Sequence, residues 1–333
     1  MNKRIRLVHY GIGHDHSSAF LSCIRLYPEI FEVVGVCEPN PKMQYKFLES
    51  KVYDGIPRLT EEEMFALDDI DAAIVEAYDL DLVSYAQKCA DRGWHVHMDK
   101  AAGVDIKAYE KLLTTLKEKN LVFQMGYMFR YNPMVKRALD MKARGELGEI
   151  FSIDAFMNTC LDKEKRKWLS DLPGGDMLYL GCHMIDLVYL FMGAPLRIIP
   201  FNKSTGLDGV DCRDNTAAVF EYERGVAFVR ASAVEVNGFA RRQLVICGSR
   251  GTVEIKPLER PCIAKFCGIE EHDAYHDKGR EECATTGERW KRYDEMMLDF
   301  AAFIRGEKKN PYTYEYECEL QKLILTACGL EID

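Results

Sequence analysis

Gly11-Ile12-Gly13 stands between a short apolar run and a helical pattern. In that setting the first glycine permits a tight turn, and the second lets a pyrophosphate approach the backbone. The helix start adds unpaired N–H groups and a partial positive charge. Gly11, Ile12, Gly13 and His14 are therefore the candidates for holding a dinucleotide. His16 stands where a third glycine would complete the fingerprint, which predicts a reshaped turn or a helix set slightly off its strand. His14 and His16 both sit where they can reach a nicotinamide or a substrate. Glu38 follows the next apolar run, near the distance at which an acid contacts the ribose. A carboxylate there accepts from both ribose hydroxyls and repels a 2′-phosphate, so it favours NAD over NADP. The alternatives are a plain strand–helix turn and a solvent-facing glutamate before Pro39.

Three further segments hold proton carriers and cations. One strand pattern ends in Met98-Asp99-Lys100-Ala101-Ala102-Gly103, and the next leads into Gly126-Tyr127-Met128-Phe129-Arg130. The third contains Pro173-Gly174-Gly175-Asp176, then Tyr179, His183 and Asp186. A cation such as Lys100 lowers the pKa of an alcohol and stabilises a developing alkoxide, unless it is a surface lysine at a strand end. An imidazole such as His183 titrates near the working pH and can accept and return a proton. Asp186 lies one helical turn on, placed to orient that ring, to contact substrate, or to pair elsewhere. His95 and His97 alternate on one strand face and read as packing; His272, Asp273 and His276 have metal-like spacing in a polar, loop-like setting, and no metal is assigned.

Composition narrows the class. The length of 333 residues suits two domains, and 47% hydrophobic with 29% charged residues is ordinary for a globular chain. A net charge of −9 with no basic stripe argues against a nucleic-acid partner; Lys163, Lys165, Arg166 and Lys167 read as a solvated face. No run is long enough to cross a membrane, and the N-terminal apolar run is too short for a signal peptide. The twelve cysteines are dispersed, with no C-x-x-C pair and several in apolar runs such as Cys37, Cys89, Cys247 and Cys328. They read as reduced and mostly buried, which implies a cytoplasmic setting.

The elements that must position these residues alternate first and then change rhythm. Residues 4–10, 32–37, 72–75, 95–98 and 122–125 are strand patterns separated by helical ones. Thr60 and Glu63 form a capping box, and Asp105 caps a later helix. This order predicts a parallel, doubly wound sheet over residues 1–127, with ligands at the carboxyl ends of its strands. Residues 128–333 show strand patterns at 151–158, 197–203, 216–222, 226–233, 243–247 and 252–256. Turn-sized gaps predict a large, open, mostly antiparallel sheet in an α+β domain. The helical pattern at 290–304 is expected to cover one face of that sheet.

Taken together, the segments around Gly11, Lys100, Arg130 and His183 resemble the glucose–fructose oxidoreductase/inositol dehydrogenase (Gfo/Idh/MocA) family over essentially the whole chain. The resemblance implies a nicotinamide-binding Rossmann domain and a domain that binds a small polyhydroxylated substrate and forms a homodimer or homotetramer. It implies that Lys100 lies near the nicotinamide and the reacting hydroxyl, and that His183 is the acid/base. Trp168 matches an aromatic that the family brings to substrate, and Arg130 matches a frequent family arginine. Tyr179 takes the place of the family's aspartate, Asp99 that of its glutamate and Ala101 that of its proline. The expected activity is therefore NAD-dependent oxidation of a ring hydroxyl of a sugar, glycoside or cyclitol, with Lys100, His183 and Tyr179 catalytic. Tyr179 keeps open a redox-neutral reaction that cleaves or epimerises a glycoside. A non-catalytic sensor of NAD or sugar is the third reading.

Overall fold

The computed structural model describes residues 3–272, 275, 277–286 and 291–332. It comprises two units: Met1–Met128 with Tyr293–Gln321, and Phe129–Arg292 with Lys322–Asp333.

In the first unit the strands are β1 (Ile5–Tyr10), β2 (Phe31–Cys37), β3 (Ala72–Val75), β4 (His95–Met98) and β5 (Phe123–Met125). The helices between them are α1 (Ser17–Ile24), α2 (Lys46–Glu49), α3 (Glu61–Phe65), α4 (Leu82–Asp91) and α5 (Ile106–Glu118). The strands pair in parallel in the order β2-β1-β3-β4-β5. The order turns back at β1, so its carboxyl end is the switch point where ligands of such sheets bind. Every residue of β3 is buried, as a sheet covered on both faces requires. The Thr60–Glu63 capping box forms at the start of α3, and Asp105 accepts from Ala108 N–H to open α5.

The second unit contains α6 (Pro133–Ala143), β6 (Ile150–Phe156), α7 (Lys163–Leu169), α8 (Cys182–Met192), β7 (Arg197–Pro200), β8 (Asn215–Tyr222) and β9 (Gly225–Ser232). It continues with β10 (Gln243–Gly248), β11 (Gly251–Ile255), β12 (Ile263–His272) and β13 (Asp277–Thr285). All eight strands form one sheet, ordered β13-β12-β11-β10-β6-β9-β8-β7. Only the β6–β9 pair is parallel. The expected open, mostly antiparallel sheet is therefore present. Alternation sets its faces: Ile153, Ala155, Ala227 and Val229 are buried, while Phe151 and Phe228 are exposed. The last two strands were not anticipated, because their sequence is polar on both faces. Asp273 and His276 of the metal-like spacing lie outside the described residues.

Two helices end the chain, α9 (Asp294–Ile304) and α10 (Tyr314–Ala327). The sequence pattern placed the first of these on the second sheet; its contacts are instead with the first unit. Tyr27 donates to Asp294 Oδ2 at 2.6 Å, and Gln124 Nε2 donates to the Met296 carbonyl at 3.1 Å. None of the twelve cysteines is in a disulfide. Cys37, Cys89 and Cys328 are buried as expected, whereas Cys247 is only half-buried. Among the described residues no helix is long and apolar enough to cross a membrane.

His97 is packed in the first unit against Phe20 and Phe300, and its Nδ1–H donates to Gln124 Oε1 at 2.9 Å. Packing is thus its role, as the strand alternation implied. Burial lowers the pKa of His97 to about 4 and that of His9 to about 3, from an ordinary 6.5. On acidification the unfolded chain takes up protons near pH 6.5 that the folded chain refuses until much lower pH, so stability falls as pH drops through this window. Each imidazole costs about 2 kcal/mol at pH 5. We expect His97→Asn to flatten the decline between pH 7 and pH 5 by about that amount. Urea unfolding at both pH values checks it, and an unchanged slope contradicts a neutral buried His97.

Candidate functional site

The chemistry-bearing residues fall into two groups, one in each unit. In the first, β1 runs straight into Gly11. A Cβ on Gly11 would stand 2.6 Å from Ala77 Cα, and one on Gly13 2.6 Å from Tyr78 N, so the chain after β3 packs directly on this turn. Ile12 buries its side chain in a cluster with Leu21, Val36, Phe47 and Tyr53. Its backbone N–H donates to Glu38 Oε2 at 2.6 Å, and Asn40 N–H donates to Glu38 Oε1 at 2.8 Å. Burial outweighs these donors and pushes the Glu38 carboxyl up from its ordinary range. A cavity of about 620 Å³ opens beside Glu38, lined also by Pro39, Phe47, Arg58 and Thr60. The Arg58 guanidinium lies 4.6 Å from the Phe47 ring centroid. This is ligand-sized space. The turn, the acid and the cavity fit a dinucleotide: backbone donors for phosphate, a carboxylate for ribose hydroxyls, and a partly apolar pocket for a base.

His16, in the place of the third glycine, precedes the first turn of α1 and directs Nδ1 to Asp99 Oδ2 at 2.9 Å. Its ring also faces Phe20 and Tyr293. His14 directs Nδ1 to the same oxygen at 2.8 Å. Burial works against a charge on His14, but Asp99 and Asp79 outweigh it and hold the imidazole up at about 9. Asp99 is fully buried; burial would raise it, yet His14 and His16 hold its carboxyl well below the usual range. Lys100 follows, 1% exposed, with its backbone N–H donating to Asp99 Oδ1 at 2.6 Å. Gln321 braces the segment beyond: its Nε2 donates to the Gly103 carbonyl at 2.6 Å and its Oε1 accepts from Ala102 N–H at 3.3 Å. Glu76, at the end of β3, and Asp79 belong to the same neighbourhood. Sequence patterns missed both, because nothing in a lone acid after an apolar run marks it as buried.

In the second unit Tyr179 sits in a π-helical turn, Met177–Gly181, that leads directly into α8. Such wide turns recur at functional sites because they re-aim side chains within a helix. Trp168, on α7, meets Tyr179 edge-on at 5.0 Å. Lys165 Nζ lies 3.5 Å from the Trp168 ring centroid and 5.1 Å from that of Tyr179. His183, 2% exposed, meets Phe129 edge-on at 5.1 Å. The basic run before it is not one solvated face. Lys163 and Lys167 are exposed, but Arg166 is buried, paired with Asp208 and 3.9 Å from Asp214.

Arg130 and Asp186 are brought together. Arg130 Nε donates to both Asp186 oxygens at 3.0 Å and Nη2 donates to Oδ1 at 2.8 Å, with both side chains 1% exposed. The pair ties the segment after β5 to α8 and so fixes the helix that carries His183. Removing one partner leaves the other charge buried and alone. We expect Arg130→Met to cost about 3–5 kcal/mol, and the double change with Asp186→Leu to recover most of it. Urea titrations of the three variants give the comparison; equal losses for single and double variants contradict the coupling.

Residues 135–254 match the model of the GFO/IDH/MocA C-terminal domain. That match covers the central part of the second unit, so the likeness to the GFO/IDH/MocA family is shown for its C-terminal domain. The chain is 26% identical over 166 residues to D-xylose 1-dehydrogenase (NADP(+)) 2 of Haloferax volcanii, a match spanning 49% of this chain and 50% of that protein. In fold it is similar to a 3-ketoreductase of Actinomadura kijaniata in complex with NADP and TDP-benzene (TM-score 0.78, 18% identity, 97% and 96% of the two chains). It is likewise similar to a levoglucosan dehydrogenase in complex with NADH and levoglucosan (TM-score 0.79, 15% identity, 98% of each chain). The matched C-terminal domain and the two-sheet fold agree with the sequence reading.

Proposed function

We propose that this protein is an NAD-dependent oxidoreductase that oxidises a ring hydroxyl of a sugar, glycoside or cyclitol, or reduces the matching ketone. The observation that carries the reading is Glu38, whose carboxylate accepts from the N–H of Ile12 in the nucleotide turn. Of the three proteins above, the xylose dehydrogenase is named for NADP(+), the 3-ketoreductase is in complex with NADP and the levoglucosan enzyme with NADH, so a nicotinamide dinucleotide is the common element. A buried acid beside the ribose position supports NAD for this chain, because a 2′-phosphate would meet it as a like charge.

Gly11, Ile12, Gly13 and His14 hold the dinucleotide with Glu38. NAD held there would supply the hydride acceptor for the substrate carbon. His183 accepts the hydroxyl proton, with the edge of Phe129 against its ring fixing its direction. Lys100 stabilises the developing alkoxide. Trp168 gives a sugar ring an apolar face, and Tyr179 hydrogen-bonds substrate beside it. Arg130 acts through Asp186, as a brace for α8.

We expect Lys100→Met and His183→Asn each to lower kcat about 10²- to 10⁴-fold while leaving NAD binding in place. Nicotinamide absorbance with a panel of sugars and inositols gives the rates. Tight NAD binding with no turnover on any of them contradicts the dehydrogenase reading. We expect Glu38→Gln to weaken NAD binding about tenfold, or about 1.4 kcal/mol, and to narrow its preference over NADP. Dissociation constants for both dinucleotides check it; an unchanged ratio removes Glu38 from that role.

A second reading has one observation in its favour: a phenol, Tyr179, stands at the family's carboxylate position beside Trp168 and Lys165. Transient oxidation of the substrate hydroxyl acidifies the neighbouring C–H, a base removes that proton, and the group on the next carbon departs or the proton returns on the other face. In the cleavage branch water would add where the group departed, and in both branches the retained cofactor would supply the hydride that restores the hydroxyl. Retained NAD, no net NADH and solvent deuterium beside the oxidised carbon would favour this reaction over the first.

A further inference from the structure

In the first unit two imidazoles and three carboxylates converge where the nucleotide turn meets the ends of β3 and β4. His14 Nδ1 and His16 Nδ1 share one partner, Asp99 Oδ2, at 2.8 and 2.9 Å. A Glu76 oxygen stands 3.6 Å from His14 Nδ1, and Asp79 Oδ1 stands 3.6 Å from His14 Nε2. The side chains of Glu76 and Asp99 are fully buried, that of His14 is 1% exposed and that of His16 20%. One ligand-type atom from each of His14, His16 and Asp99 lies within 4.8 Å of the others.

Glu76 is the independent observation. It is fully buried, its Oε2 stands 3.6 Å from His14 Nδ1, and among the described residues no donor meets either oxygen. A buried carboxylate with no donor is costly, and native structures rarely leave one so. Among the described residues, Lys100 and the His14 imidazole act on these carboxyls, and burial beside Asp99 pushes the Glu76 carboxyl well above the usual range. A divalent ion would supply Glu76 with the missing partner.

We propose that His14, His16 and Asp99, with Glu76 as fourth ligand, form a site for a divalent transition metal. Two imidazole nitrogens and two carboxylate oxygens are a donor set suited to zinc, with manganese or iron(II) as related fits. Zinc–ligand bonds of about 2.0–2.1 Å in a tetrahedron place neighbouring ligand atoms about 3.4 Å apart. The two His–Asp distances of 2.8 and 2.9 Å are therefore those of a closed site that opens by about 0.5 Å when the ion enters. Rotation of His16, the most exposed of the four, accommodates that change. The ion would staple the nucleotide turn to Asp99 and thereby hold the backbone of Lys100. The sequence assigned no metal because its ligands come from three separate strand ends.

The test uses the full chain, stripped with chelator and titrated with Zn²⁺ or Co²⁺. We expect one bound ion per chain by elemental analysis, visible absorption of low-symmetry Co²⁺, and a rise in Tm on Zn²⁺ addition. His16→Ala and Asp99→Asn should each weaken binding at least tenfold, with far-UV circular dichroism of both variants as the check that the fold is intact. Less than a tenth of an equivalent bound, or binding unchanged in both variants, overturns the proposal and leaves a hydrogen-bonded His–Asp–His network. The readout is metal content and not turnover, so it stands or falls separately from the dehydrogenase reading.

Discussion

A carboxylate buried at the end of a parallel strand must be met by donors or cations, and three of the five strands in the first sheet end on one. Glu38 follows β2, Glu76 follows β3 and Asp99 follows β4, all buried. Each meets the demand differently. Glu38 takes two backbone N–H groups, one from the nucleotide turn. Asp99 takes two imidazoles and the N–H of Lys100. Glu76 faces His14 at a distance too long for a hydrogen bond. The turn cannot move without disturbing two of these acids, because Ile12 serves one and His14 serves another. This constraint explains why a turn without its third glycine still has a defined shape. The glycine's usual role of close helix packing is replaced by His16, held sideways by Asp99.

Much of the first unit was legible because parallel strands buried on both faces leave a strong mark. The segment at 72–75 is entirely apolar and coincides with β3. Caps were equally plain: Thr60, Glu63 and Asp105 act locally, so local sequence contains the whole signal. The convergence of His14, His16, Asp99 and Glu76 was not legible, since it depends on which strands lie side by side. Each of these residues alone follows a strand or sits on a turn, which does not mark it as part of a cluster. The same reason hid the Arg130–Asp186 pair, whose partners are 56 positions apart.

The second unit shows the opposite limit. Strands β6 to β11 alternate well enough to be read, because one face packs and the other does not. β12 and β13 hide behind residues such as Lys265, Glu270, Glu271 and Arg280, where both faces accept polar side chains. Their pairing comes from the register with β11, which a sequence pattern does not contain. The helix at the end of the chain was misplaced for a related reason. An apolar stripe says that a helix packs, but not against what; Tyr27 and Gln124 settle it by bonding to α9.

The exchange of aspartate for Tyr179 changes the charge of the segment less than it first suggests. A buried carboxylate remains three residues upstream at Asp176, one helical turn back along the same segment. Burial lowers the pKa of the neighbouring Arg242 guanidinium to about 10, while the charge of Asp176 works the other way. Arg242 is also paired with Glu259 at 2.7 Å, so the acids in this region already have a cation between them. Tyr179 instead sits against Trp168 under the cation of Lys165. The polar function at that position is thus a neutral hydroxyl on an aromatic platform. It can donate to a substrate oxygen, which an ionised aspartate cannot do. His183, four residues later, keeps its place on a helix braced by Arg130.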